Sequence, residues 1–69
     1  MFSQKAEIAM LKRDIHKTEI ARSIGLSKQA TYNRFSTDNW REKDMVEICH
    51  LLNAHLEIHI VFDDTGEKI

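Results

Sequence analysis

The sequence predicts a small, mainly α-helical bundle that ends in a β-strand. Apolar residues recur at helical spacing over most of residues 3–53. Gly25 and Ser27 separate two of these helical segments, and beyond residue 55 the apolar residues alternate with polar ones, as in a strand. With 69 residues the chain can bury one small core, so we expect a single domain, with a bundle over residues 1–55 and a strand segment over residues 56–69.

The first helix is predicted from about Ser3 to Arg13. Ser3 is of a residue type that caps helix N-termini, and Phe2 is placed to staple the first turn. Ile8, Leu11 and Ile15 follow helical spacing, the last just beyond the end of the helix. This spacing indicates that Ile8 and Leu11 mark the apolar side of the helix.

Two further helices, from about Lys17 to Ile24 and from Lys28 to Phe35, are joined by a short turn. Gly25 can adopt the left-handed conformation that ends a helix, because it has no Cβ. Ser27 is placed to cap the following helix. Small and apolar residues surround the turn, as two helices crossing at about 90–120° require. They are Ile20, Ala21, Ile24 and Leu26.

A fourth helix is predicted after the polar loop of residues 36–39. Asn39 and Glu42 have the spacing of a capping box, and the helix should continue to about Asn53. Trp40 is expected to cover the edge of the core. The buried stripe has the helical spacing i, i+3, i+4, i+7. It consists of Met45, Ile48, Cys49 and Leu52.

The last segment, from Leu56 to Phe62, has the period of a β-strand. Its alternating apolar residues are Leu56, Ile58, Ile60 and Phe62. A turn-forming stretch, Asp63 to Gly66, follows, and residues 67–69 could return as a short strand. A two-stranded hairpin is marginal alone, so pairing with the same strand of a second copy is the more economical arrangement. We therefore expect a homodimer, with an intramolecular hairpin as the alternative.

The charges are unevenly distributed, although the net charge is only −1. Residues 1–43 contain nine Lys and Arg against five Asp and Glu, whereas residues 44–69 contain one Lys against six Asp and Glu. A basic surface is therefore expected on the N-terminal part. The single cysteine, Cys49, excludes an internal disulfide, and no apolar run predicts a membrane span or signal peptide, which together fit the cytoplasm.

Five stretches of the sequence resemble the lambda-repressor-like (Cro-type) helix-turn-helix family, and most closely the short regulators of prophages and mobile elements with a C-terminal strand. These stretches are Thr18-Glu19-Ile20-Ala21, Ile24-Gly25-Leu26-Ser27-Lys28-Gln29, Asn33-Arg34-Phe35, Asp38-Asn39-Trp40 and the strand from Leu56 to Phe62. The resemblance implies a bundle of four to five helices whose third helix enters the major groove of DNA. The chain departs from the family at two positions: Thr31 replaces a larger aliphatic residue, and His16 replaces a Ser or Thr cap.

In such a helix the first turn and the face opposite the core point at base edges. The residues expected there are Ser27, Lys28, Gln29, Tyr32, Asn33 and Ser36. Gln29 suits a bidentate contact with adenine and Lys28 suits guanine, each worth about 1–3 kcal/mol of discrimination. Phosphate contacts need cations and N–H donors at the edge of the groove. The expected ones are Lys17, Thr18, Arg41 and Lys43.

Other kinds of chemistry find little support in the sequence. His50, His55 and His59 lie close together, but no Cys/His pair has zinc-finger spacing, so we predict no metal and no cofactor. Cys49 is interpreted as a small core residue. No phosphate-binding loop, carboxylate pair or nucleophile with a base is present, which argues against an enzyme and a small-molecule substrate.

The sequence therefore predicts a sequence-specific regulator that binds double-stranded DNA as a homodimer, as a repressor of phage or mobile-element type would. The alternative is a protein-interaction module, antitoxin-like or anti-repressor, whose C-terminal strand augments the sheet of a partner. The acidic C-terminal part suits the second hypothesis, whereas the turn between the two central helices suits the first.

Overall fold

The computed structural model describes all 69 residues and contains four α-helices, which confirms the prediction of a mainly α fold. The helices are α1 (Phe2–Arg13), α2 (Lys17–Ile24), α3 (Lys28–Thr37) and α4 (Glu42–Leu51). The N-terminal ends of α2 and α3 lie where the sequence predicts them. None of the helices is long and apolar enough to cross a membrane.

The core lies where α1, α3 and α4 meet around α2, which packs against both α3 and α4. Its buried members are Ala6, Met10, Ile20, Phe35, Ile48 and Leu52. Trp40 closes one edge, as expected, with its ring 4.9 Å from that of Phe35 and 5.8 Å from that of Phe2, both in edge-to-face geometry. Such pairs add about 0.5–1.5 kcal/mol beyond the area that they bury.

The buried side of α1 differs from the prediction. Ile8 and Leu11 are exposed, Leu11 by 84%, whereas Ala6 and Met10 are buried. Two stripes on this helix satisfy helical spacing, and the core takes the one that contains the small Ala6, next to the partly buried Phe2. Helical spacing alone does not distinguish these two stripes.

The cap of α1 also differs from the prediction. The helix begins at Phe2, so Ser3 lies inside the first turn, where it is buried and is not the cap. Asp38, from the loop after α3, accepts a hydrogen bond from the Ser3 backbone N–H at 2.9 Å. A residue distant in sequence therefore satisfies a donor that a local cap would otherwise satisfy.

The boundaries between α3 and α4 shift from those predicted. α3 continues through Thr37 and ends at Asp38, whose φ of 54° is left-handed. The predicted capping box of Asn39 and Glu42 is absent, because Arg41 occupies the N-cap position of α4 and makes no side-chain cap. α4 ends at Leu51, about half a turn earlier than predicted. Ile48, Cys49 and Leu52 are buried as expected, and Met45 is half-buried.

The predicted strand from Leu56 to Phe62 is not present as a regular strand. Residues 54–69, here called the arm, contain a single antiparallel bridge between Val61 and Lys68. The arm is exposed except for the half-buried Leu56, and the molecule measures 43 × 22 × 18 Å. A regular strand needs a partner over its length, and within one chain only the short return segment, residues 67–69, is available to this one.

Candidate nucleic-acid interface

The turn between α2 and α3 has the geometry that the sequence predicts. Gly25 ends α2 with a φ of 72°, and its N–H bonds back to the Ala21 carbonyl. The N–H of Leu26 donates to the same carbonyl at 3.1 Å. A left-handed residue here lets the chain leave α2 and enter α3 after three residues.

Ser27 caps α3, as predicted, and also anchors its first turn. Its hydroxyl accepts from the Ala30 N–H at 3.1 Å. The Thr31 hydroxyl donates to the Ser27 carbonyl at 2.9 Å, although Thr31 is fully buried. The Thr31 hydroxyl therefore has a partner, and its burial leaves no polar atom unsatisfied.

The outer surface of α3 carries all six residues expected to contact bases, and all six are exposed. We call this surface the recognition face; it consists of Ser27, Lys28, Gln29, Tyr32, Asn33 and Ser36. The buried residues of the helix, Thr31 and Phe35, lie on the opposite side. The core therefore holds α3 from behind and leaves a polar face free.

Two amides of the recognition face lie one helical turn apart and are bonded to each other. The Gln29 Nε2 donates to the Asn33 Oδ1 at 3.4 Å. The Gln29 carbonyl oxygen, its second N–H and the Asn33 amide N–H groups remain available to a ligand. This is the donor and acceptor pattern that an adenine edge matches.

Tyr32 lies between two lysines at the start of the recognition face. The Lys17 ammonium is 5.2 Å from the centre of its ring, and the Lys28 ammonium is 5.9 Å away. Lys17 also lies 5.0 Å from the Phe35 ring and 3.8 Å from the Glu7 carboxylate. Glu7 is a neighbour of Lys17 that the sequence did not indicate, since nothing in residues 7–17 marks the pair.

The expected phosphate contacts do not form one group. Lys17 and Thr18 line an open groove of about 320 Å³ beside Tyr32, with an apolar floor that includes Met10 and Ile15. Lys43 lies at a second depression, at the C-terminal end of α2, together with Arg22 and Gly25. Arg41 is exposed at the N-cap of α4 and lines neither.

Two other groups carry side chains of chemical interest: the thiol of Cys49 and the histidines near the C-terminal end. Cys49 is buried on α4, and burial raises the pKa of its thiol, which keeps it protonated at neutral pH as expected of a core residue. In the arm, the Glu57 carboxylate contacts the Nε2 atoms of His55 at 2.9 Å and His59 at 3.8 Å. These contacts, with His55 first, lower the pKa of Glu57. His50, on α4, is exposed.

Comparison of the chain with protein-family models, curated proteins and solved structures gave no match.

Proposed function

We propose that this protein is a sequence-specific regulator of transcription that binds double-stranded DNA through the recognition face. The observation that carries the proposal is the exposure of Gln29, Asn33 and the other four polar or aromatic residues of one side of α3. The buried Thr31 and Phe35 hold the opposite side against the bundle. A helix presented in this way fits the major groove, and the resemblance to lambda-repressor-like regulators supports the same reading.

The cationic side chains near the recognition face support contacts with the phosphate backbone of DNA. Lys17 and Thr18 lie at the N-terminal end of α2, where the helix dipole and free N–H groups favour a phosphate. Lys43, with Arg22, lies near the C-terminal end of α2 and would contact a different part of the DNA backbone. We propose that these contacts set the orientation of the protein, whereas the recognition face reads the sequence.

The regulator acts as a homodimer, and the arm forms its β-strand only when a second copy supplies the partner. Exposed apolar residues of the arm, including Ile58, Ile60 and Phe62, support this arrangement. The functional class is a repressor of phage or mobile-element type in the cytoplasm, as the resemblance implies.

The test is selection of bound sequences from a random duplex pool, followed by titration of the selected site at several salt concentrations. We expect a two-fold symmetric site with half-sites about 34–36 Å apart. Affinity should fall steeply with salt, with a log–log slope of about −0.9 for each phosphate neutralised. Failure to enrich any sequence, together with salt-independent weak binding, would refute the proposal.

A second candidate function is favoured by the same exposed arm. Its apolar residues and its four acidic residues against one lysine suit a module that adds a strand to a partner's sheet, as an antitoxin-like or anti-repressor protein would. The salt titration separates the two functions, because the interaction module should show no salt-sensitive binding to duplex DNA.

A further inference from the structure

The segment from Ile60 to Phe62 pairs with residues 67–69 along one of its two edges and leaves its other edge free. Ile60 and Ile69 exchange two backbone hydrogen bonds, at 3.3 and 2.9 Å, and the Phe62 N–H donates to the Glu67 carbonyl at 2.9 Å. The Val61 N–H and carbonyl take no part in a backbone hydrogen bond. Backbone groups of successive residues in an extended segment point to opposite edges, so Val61 faces away from the return segment.

The same alternation extends towards the helices. His59 and Glu57 are two and four residues before Val61, so an extended chain directs their backbone groups to the same edge, where they make no backbone hydrogen bond. We call the row of Glu57, His59 and Val61 the free edge. An uncovered row of this kind is a template for another strand.

One face of the hairpin is apolar. Ile60 and Phe62 are two residues apart and Ile69 lies opposite Ile60, so these three side chains share a face, and an extended chain adds Ile58 to it. They are between 43% and 66% exposed. A sheet of two strands with an open apolar face is marginal in water, whereas four strands bring such side chains into mutual contact.

We propose that two copies of the chain pair antiparallel through the free edge, around a two-fold axis at His59, and form a four-stranded sheet. The proposal rests on the homodimer of the proposed function and adds its edge and its register. The two return segments, residues 67–69, then form the outer strands. The free edges of both copies satisfy each other's donors and acceptors.

The distribution of apolar residues selects the register. Leu56, Ile58, Ile60 and Phe62 are symmetric about His59, so this centre pairs Leu56 with Phe62 and Ile58 with Ile60 of the partner subunit. A centre at Ile58 would place Phe62 opposite an alanine. A centre at Ile60 would place Leu56 opposite an aspartate.

The charges agree with this register. The centre at His59 places His55 opposite Asp63 of the partner subunit, where an imidazole N–H can donate to the carboxylate. Glu57 then lies opposite an apolar residue, Val61. A centre at Ile60 would instead place Glu57 opposite Asp63, and two carboxylates directly opposite each other are destabilising.

Cysteine cross-linking tests the register without DNA. In a hydrogen-bonded antiparallel pair the two Cα atoms are about 5.5 Å apart, within the range that a disulfide spans. His59→Cys should therefore form a covalent dimer under mild oxidation. Ile58→Cys and Ile60→Cys are the matched controls, because diagonal positions lie about 7–8 Å apart and a disulfide there needs backbone movement. The unmodified chain controls for Cys49, which is buried.

Each outcome decides a different part of the proposal. Strong cross-linking of His59→Cys alone supports it. Preferential cross-linking of Ile58→Cys or Ile60→Cys would overturn the register, and a dimer in sedimentation equilibrium that none of the three variants cross-links would overturn the free edge as the interface. A monomer at high micromolar concentration would overturn both this proposal and the homodimer of the proposed function. If His59→Cys cross-links but the unmodified chain binds no duplex DNA, only the DNA-binding function is refuted.

Discussion

The indole Nε1–H of Trp40 donates a hydrogen bond to the Ser3 hydroxyl at 2.8 Å, across 37 positions of the sequence. Ser3 is buried in the first turn of α1, and Trp40 closes the core between Phe2 and Phe35. The bond therefore joins the start of the bundle to the loop that follows α3. Through the contact between the Trp40 and Phe35 rings, the same loop also packs against the buried side of α3.

Replacing Ser3 by Ala should lower the free energy of unfolding by about 1–3 kcal/mol, because the Trp40 N–H then loses its partner in a partly buried site. Chemical denaturation followed by tryptophan fluorescence measures this. Ser36→Ala, at an exposed position of α3, is the matched control and should change the free energy by less than about 0.5 kcal/mol. Equal effects of the two variants would show that the bond contributes nothing.

Acid should remove the stability that the Asp38 carboxylate, in the loop after α3, gives to the fold. The Ser3 backbone N–H, and next the Ser3 hydroxyl, hold the pKa of Asp38 below its ordinary value of 3.8. A lowered folded-state pKa stabilises the fold above the ordinary value, and this stability is lost as the pH falls through the folded-state pKa. Asp38→Asn keeps an oxygen for the Ser3 N–H and suits the left-handed backbone. Its melting temperature should be below that of the unmodified chain at pH 7, and the difference should shrink as the pH falls through 3.8 and then through the folded-state pKa of Asp38. A constant difference across this range would contradict the prediction.

The cost of replacing Gly25 should depend on how readily the new residue adopts a positive φ, and not on the size of its side chain. An added Cβ would meet no atom within 4 Å, so only the φ of 72° opposes a side chain. Gly25→Val should cost about 1–3 kcal/mol of stability, because β-branched residues are strained at positive φ. Gly25→Asn should cost clearly less, since asparagine adopts this conformation more readily. Thermal melting of both variants checks the order, and a reversed order would mean that packing decides.

Variants that remove a base contact and variants that remove a phosphate contact should have different effects on DNA affinity. Gln29→Ala is expected to weaken binding to the selected site by about 1–3 kcal/mol and to leave binding to unrelated duplexes nearly unchanged. Lys17→Ala should weaken both and reduce the magnitude of the salt slope by about one. Fluorescence anisotropy with the two duplexes gives all four numbers. If Gln29→Ala weakened binding to both duplexes equally, its assignment to a base contact would be wrong.

Proline substitutions should distinguish the two edges of the arm. The Ile60 N–H donates to the Ile69 carbonyl, so Ile60→Pro should disrupt the hairpin itself. The Val61 N–H lies on the free edge, so Val61→Pro should keep the hairpin and lose the dimer. Sedimentation equilibrium measures the dimer, and the nuclear Overhauser contact between the α-protons of residues 61 and 68 reports the hairpin. A dimer that survives Val61→Pro would exclude the free edge as the interface.

The sequence by itself determined the turn between α2 and α3. Gly25 and Ser27 act on backbone groups within four residues of themselves, so a left-handed end and a side-chain cap follow from residue type and spacing alone. The exposure of the recognition face could be predicted for the same reason, because the helical period of α3 separates Thr31 and Phe35 from its polar side.

Only the tertiary structure decided which side of α1 is buried, what caps it and how the arm is paired. Ala6 and Met10 replace Ile8 and Leu11 in the core because the other helices select one of two equivalent stripes. The Asp38 cap spans 35 positions, and the direction of the Ile60 N–H depends on the return segment. Such contacts form between residues that helical and strand periods do not relate, so the free energy of the whole packed arrangement determines them.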